Sequence, residues 1–268
     1  MLRDLCLSFL GAEMIFNDFK KRLIETGGNI PDSELEFTWF SKAVEKNDFE
    51  TVKYICENYE NKVKPACTRF IMDAVKSDVE IFKYLINFFD YNIHKQNEYL
   101  IRASCGYGRL EHAKYLISKN ADVSAQSYYS LLWAAGNGYL NVVKYLIEEL
   151  GLSKKNQASR RAIVRALSEA VNKRQLKVID YLLKALPLEQ LKYYLSNRQK
   201  HIITKVIERM DKDIFEMFEN RGIVFSKRSY AVRRGLVDVN LYKGTHSEEA
   251  KANEFIHMLI ERGLIDAD

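Results

Sequence analysis

Leu131-Leu-Trp-Ala-Ala-Gly-Asn-Gly-Tyr-Leu-Asn-Val-Val-Lys-Tyr-Leu-Ile147 holds two short apolar segments with a polar break between them. The first carries the small residues Ala134 and Ala135. The second places Leu140, Val143, Leu146 and Ile147 on one helical stripe, with Lys144 outside it. Gly136-Asn-Gly138 between them reads as a tight turn. The stretch is a helical hairpin with one oily side, too small to bury that side by itself.

Outward from this hairpin the pattern recurs. Val52-Lys-Tyr-Ile-Cys56, Phe82-Lys-Tyr-Leu-Ile86, Ala113-Lys-Tyr-Leu-Ile117, Val143-Lys-Tyr-Leu-Ile147 and Ile179-Asp-Tyr-Leu-Leu183 place tyrosines at 54, 84, 115, 145 and 181, spaced by 30, 31, 30 and 36. Upstream of each lies a small-residue segment: Ala43-Val44, Ala74-Val75, Ser104-Cys105, Ala134-Ala135 and Ala170-Val171. Equal steps and equal chemistry predict neighbours stacked in a row, each covering the next, with small residues admitting close approach. Asn120, Gly151, Gly222 and Gly263 follow the second helices and suit a left-handed turn.

These units resemble ankyrin repeats. Residues 131–147 carry the resemblance most strongly, then Ala103-Ser-Cys-Gly-Tyr-Gly-Arg-Leu-Glu-His-Ala-Lys-Tyr-Leu-Ile-Ser-Lys-Asn-Ala-Asp-Val123, and Thr38-Trp-Phe-Ser-Lys-Ala43 keeps the threonine and alanine of the family's opening phrase. The resemblance implies an all-α, ankyrin-type helix-turn-helix solenoid. The family period is about 33 residues, so steps of 30 or 31 imply shortened hairpin fingers between Val123 and Ser130. The longer step to Tyr181 adds about six residues around Ser153–Ser159.

The expected organisation is a helical cap over 1–36, five recognisable repeats over 37–185, and degenerate repeats with a C-terminal cap over 186–268. Counting the degenerate units, seven or eight repeats are expected. Phe19–Ile30, Phe215–Gly222 and Phe255–Gly263 read as outer helices of the terminal units, and Thr245-His-Ser-Glu248 fits a capping box. Residues 187–212 are apolar and helical but have no evident register.

Composition points the same way. Only Pro31, Pro65 and Pro187 interrupt the chain, so helices can run freely. Cys6, Cys56, Cys67 and Cys105 share no paired spacing, which excludes a disulfide framework or zinc knuckle and suits a reducing, cytoplasmic setting. The five histidines are scattered singly, Gly106-Tyr-Gly108 lacks the third glycine of a dinucleotide loop, and no run approaches a membrane span. The first twelve residues resemble a signal peptide only faintly, because Asp4 stands where a basic region belongs. No catalytic constellation, cofactor or metal is expected. His112 reads as a surface or partly packed residue of an outer helix.

The expected activity is therefore binding of a partner protein. The family's variable inner-helix positions correspond here to Glu45, Lys46, Lys76, Ser77, Gly106, Tyr107, Gly136, Asn137, Asn172 and Lys173. Tyr99, Tyr107, Tyr128, Tyr129 and Tyr139 lie in or beside loops, where tyrosine suits contact hot spots. Lys154, Lys155, Arg160, Arg161, Arg165, Lys173, Arg174 and Lys177 crowd one stretch with Glu169 the sole acid, a candidate patch for an acidic protein segment or anionic lipid. Nucleic acid is disfavoured there, since net charge is only +5 and aromatic residues do not interleave. Lys227-Arg228 and Arg233-Arg234 form a second basic run. Ser247-Glu-Glu-Ala-Lys-Ala-Asn-Glu254 resembles the glutamate-rich export signal of type IV secreted bacterial effectors, which implies action in a host cytoplasm. An enzyme hidden in 187–268 is the competing class.

Overall fold

The computed structural model describes residues 15–197, 200–225 and 246–264; among them every regular element is a helix and no strand occurs. The N-terminal twelve residues, Thr245 of the expected capping box, Ile265 and the second basic run lie outside the described residues. The chain divides after Ala125 into two compact units.

Among the described residues the first unit begins with helix α1 (15–25). Three hairpins follow. Helix α2 starts as a π-helix (Glu34–Phe40), continues as Ser41–Glu45, and turns back into α3 (Phe49–Val63). Then come α4 (Cys67–Ala74) with α5 (Val79–Phe88), and α6 (Lys95–Gly106) with α7 (Leu110–Ser118). Like packs on like: α2 on α4, and α3 on α5 on α7. The second unit holds α8 (Ala125–Gly136) with α9 (Leu140–Lys144, extended through Tyr145–Glu149), a one-turn α10 (Leu152–Lys155), then α11 (Gln157–Asn172) with α12 (Leu176–Lys184). Next are α13 (Leu188–Asn197), α14 (Lys200–Glu208) with α15 (Lys212–Asn220), and the last helix α16 (His246–Glu261). Here α9 packs on α12, α12 on α15, and α11 on α14. Six complete hairpins thus lie among the described residues.

The small residues do what their size predicts. Ala43, Ala74, Ser104, Ala134 and Ala170 each have no exposed surface. Four of the repeated tyrosines, Tyr54, Tyr84, Tyr115 and Tyr181, each reach back to the preceding outer helix. Tyr54 stacks edge-on against Phe19, centroids 5.9 Å apart, and Tyr84 against Phe49 at 5.3 Å. Tyr115 donates to Asn87 Oδ1 at 3.0 Å, and Tyr181 to Glu148 Oε1 at 2.9 Å. Burial, then the Glu148 carboxylate, push the Tyr181 phenol far above its ordinary value, so it stays a donor.

One closure device ends the inner helices. The amides of Asp48, Arg109, Tyr139 and Gln175 donate to the carbonyls of Ala43, Ser104, Ala134 and Ala170, five residues back, at 2.8–3.0 Å. The residue before each amide is left-handed: Asn47, Gly108, Gly138 and Arg174. This is the Schellman arrangement, and it satisfies the carbonyls that a helix end leaves open. Asn120, Gly151, Gly222 and Gly263 are left-handed as expected, with φ between +64° and +87°. Side chains cap the following helices: Asp48 accepts from Thr51 N at 3.0 Å, and Asn156 with Ser159 forms a reciprocal capping box on α11.

In place of projecting fingers, two repeats carry a single left-handed turn. Gln96–Glu98 and Gln126–Tyr128 all have φ between +53° and +65°. Such a run is costly for residues with a Cβ. In the first unit Arg102 braces it by donating to the carbonyls of Gln96 and Asn97, both at 2.9 Å. His94 Nδ1 also lies 2.5 Å from the buried Glu98 carboxylate.

His112, expected on the surface or partly packed, is more deeply packed than that, at 4% exposed. Its ring packs on Phe82, centroids 4.6 Å apart, and hydrogen-bonds to backbone at Ala74 and Ser77, tying its repeat to the one before. Burial, with the Arg109 charge second, lowers its pKa to about 4. A base held neutral by the fold is protonated first in the unfolded chain, so its contribution is intact above pH ~6.5 and is lost as pH falls toward 4.

Two measurements check this packing. Ala134→Glu should lower stability by roughly 3 kcal/mol or more in urea unfolding, because it buries an unpaired charge between repeats. The exposed Asn141→Glu should change it by less than about 0.5 kcal/mol. Between pH 6.5 and 4, His112→Gln should lose less stability than the unmodified chain, and matching slopes would show that His112 titrates freely.

Candidate protein-binding surface

The residue just before each left-handed turn position lies at the end of an inner helix, where the backbone is already closed upon itself. In chain order these residues are Lys46, Tyr107, Asn137, Lys173 and Arg209, and Lys76 holds the corresponding place in the second hairpin although Ser77 after it is not left-handed; all six are exposed or half-exposed. Lys46, Tyr107, Asn137 and Lys173 stand above the same Schellman closure.

In the first unit Glu45 and Lys46 are exposed and pair at 3.4 Å. Lys76 Nζ lies 4.8 Å from the Tyr107 ring centroid, while Arg109 reaches back to the Lys76 carbonyl at 2.5 Å. Asn47 Oδ1 accepts from Asp78 N at 2.6 Å. In the second unit Lys173 Nζ donates to Asn137 Oδ1 at 2.9 Å, and Arg209 Nη1 donates to the Asn172 carbonyl at 2.7 Å. Successive turns are therefore laced into an edge within each unit. Gly138 marks how tight that edge is, since a Cβ there would stand 2.4 Å from Gln175 Oε1.

Two expected contact residues are corrected. Ser77 is 5% exposed and spends its hydroxyl on the Ala74 carbonyl at 2.8 Å. Tyr128 is 7% exposed, turned inward by the left-handed turn that contains it. Tyr99, Tyr107 and Tyr139 are half-exposed, Tyr129 is exposed, and Asn172 and Lys173 are exposed. Glu45, Lys46 and Lys76 share the edge with Tyr107, and Asn137 shares it with Asn172 and Lys173. Sequence reasoning missed Trp133, half-exposed one turn from Tyr129 with ring centroids 5.7 Å apart. The i,i+4 aromatic spacing was the available signal. It also missed Arg209, which only a register for residues 187–212 would have placed.

The basic stretch is not one patch. Helix α11 separates Arg160 from Arg174 by about 20 Å along its axis. Arg174 is engaged at the far end, bonding Asp211 at 2.5 Å and Asp213 at 2.7 Å, and these acids raise its pKa. Arg165 Nη1 lies 3.3 Å from the Ser127 carbonyl. Lys154, Lys155, Arg160, Arg161 and Lys177 have no acidic partner among the described residues, and only the first four lie together at the start of α11.

The described residues hold no group of three or more potential metal ligands, and no helix among them is long and apolar enough to cross a membrane. The family described as ankyrin repeats in three copies matches residues 40–127 and again 71–160. Residues 40–160 of this chain are ankyrin repeats. No curated protein and no solved structure gives a significant match. Ankyrin repeats characterise protein–protein interaction modules, and the array here has that character. Helices α11/α12 and α14/α15 continue the same hairpin geometry past the matched residues, with left-handed Arg174 and Met210 in the turn position.

Proposed function

We propose that the array binds a partner protein through its inner-helix face, the face that lines the concavity of an ankyrin stack, and that it does so without catalysing a reaction. One observation carries this reading: successive inner helices end in exposed or half-exposed polar side chains, Lys46, Lys76, Tyr107, Asn137, Lys173 and Arg209, and at Lys46, Tyr107, Asn137 and Lys173 these stand above the same closed turn. A surface whose backbone needs are already met can vary in side chain without cost to the fold, which suits recognition. The pairs Lys76–Tyr107 and Lys173–Asn137 preorder those side chains, reducing the entropy that a contact must overcome. The test is quantitative affinity capture with Lys76→Glu/Tyr107→Glu and, separately, Asn137→Glu/Lys173→Glu. At least one partner should fall about tenfold or more with either folded variant, and undiminished capture of every partner by both would remove this face from the function.

The glutamate-rich segment 247–254 supports a further reading, a bacterial effector exported by a type IV system to act in host cytoplasm. Grafting the C-terminal 22 residues (Ser247–Asp268) onto a reporter tests it. Delivery into host cells that depends on the secretion apparatus is expected, and retention would end the effector reading while leaving the binding reading intact.

A further inference from the structure

The fifth and sixth repeats are longer than the others, and their surplus residues form one structure. The left-handed turn positions Gly138, Arg174 and Met210 are spaced by 36, against 30 between Gly108 and Gly138. A shift by that 36-residue step superimposes α13 (Leu188–Asn197) on residues 152–161, which comprise α10 and the first turns of α11. The surplus of each long repeat is thus helical, and the two surplus segments lie side by side. Between them runs a groove of about 410 Å³, lined by Gln157 and Arg160 from one and Glu189, Gln190, Tyr193 and Tyr194 from the other.

Its lining is aromatic below and charged above. Tyr194 is 4% exposed and meets Tyr193 edge-on at 5.5 Å, while Tyr193 itself is 49% exposed. The one lining acid, Glu189, is matched by Lys192 at 3.2 Å. Arg160 and its neighbours Lys154, Lys155 and Arg161 have no acidic partner among the described residues. The site therefore offers one recess with Arg160 in its wall, and Lys154, Lys155 and Arg161 lie within six residues of Arg160 in the chain.

We infer that this groove is a second docking site, separate from the turn edge, that accepts an acidic peptide segment of a partner protein with an apolar side chain seated against Tyr193 and Tyr194. Charge complementarity argues for an acidic occupant, because a basic segment would meet Arg160 in the wall and the exposed cations Lys154, Lys155 and Arg161 close to it in the chain. The volume argues for a side chain, being in the range of small concave sites. A membrane surface fits less well, since it calls for an outward apolar prominence rather than a recess. A nucleic-acid strand fits less well because Arg174 is bound to Asp211 and Asp213, and Lys177 lies beyond the far end of α11, so no cationic track continues from the groove along α11 among the described residues. The residues that lengthen these repeats beyond the stacking period are free to serve recognition, since shorter neighbours stack without them.

The experiment is fluorescence anisotropy on the full chain. The probe is a labelled peptide of about twelve aspartates and glutamates around a central Leu-Phe pair, sized to span the groove. Saturable binding is expected, weakening as salt rises. Tyr193→Ala and Arg160→Glu should each weaken it by about tenfold or more, and Lys177→Glu by less than about twofold. Should Arg160→Glu fail to fold by circular dichroism, Lys155→Glu on the exposed face of α10 replaces it. No saturable binding, or binding indifferent to Tyr193 and Arg160, overturns the proposal. So does tighter, equally sensitive binding to phosphatidylserine vesicles or to a single-stranded oligonucleotide of similar length. The variants of the turn edge should bind the probe normally, so the failure of one site is readable apart from the other.

Discussion

A helix of eight to ten residues paired with another of the same length cannot hide its apolar stripe, and stability must come from the pair alongside. That requirement sets the rest of the structure. It demands residues without bulk where inner helices meet, and Ala43, Ala74, Ala134 and Ala170 are wholly buried there. It also demands long side chains that bridge back across outer helices, and Tyr54, Tyr84, Tyr115 and Tyr181 do so by ring contact or by hydroxyl. Each repeat is incomplete in the same way, so each is completed in the same way. His112 adds a polar version of the link, meeting backbone of the preceding repeat while its ring lies on Phe82.

The array was legible because local and non-local requirements coincide in it. Gly108 and Gly138 announce left-handed turns by their chemistry, and Gly138 also sits where Gln175 of the next repeat approaches. Arg174 and Met210 adopt the same conformation without announcing it, Arg174 being held by Asp211 and Asp213 from the following repeat. Support of that kind exists only after folding. Hence the register of residues 187–212 was hidden, and with it Arg209.

The candidate surfaces were read less well, for a related reason. Sequence proximity joined Lys154 to Lys177 as one basic cluster, but a sixteen-residue helix carries its two ends apart. Tyr128 was read as lying in or beside a loop and Ser77 as a variable inner-helix position, both available for contact. A left-handed turn rotates the first inward, and a helix-end carbonyl takes the hydroxyl of the second. Position along the chain predicts which repeat a residue belongs to; the backbone angles of one or two residues decide which way its side chain faces.

Repeated and surplus residues are under different constraints, and this bears on where function can reside. A residue at the stacking period is bound to its neighbours on both sides, so changing it disturbs two interfaces. A turn-edge residue such as Lys46 stands above a closed backbone and disturbs none. Helices α10 and α13 go further, since neither has an equivalent in the shorter repeats, which stack by the same contacts without them. Helix α10 packs on α11 and buries Leu152, and α13 packs on α11 and α14 and buries Leu191, Tyr194 and Leu195. The groove between α13 and the start of α11 therefore has one wall from a helix that the shorter repeats lack.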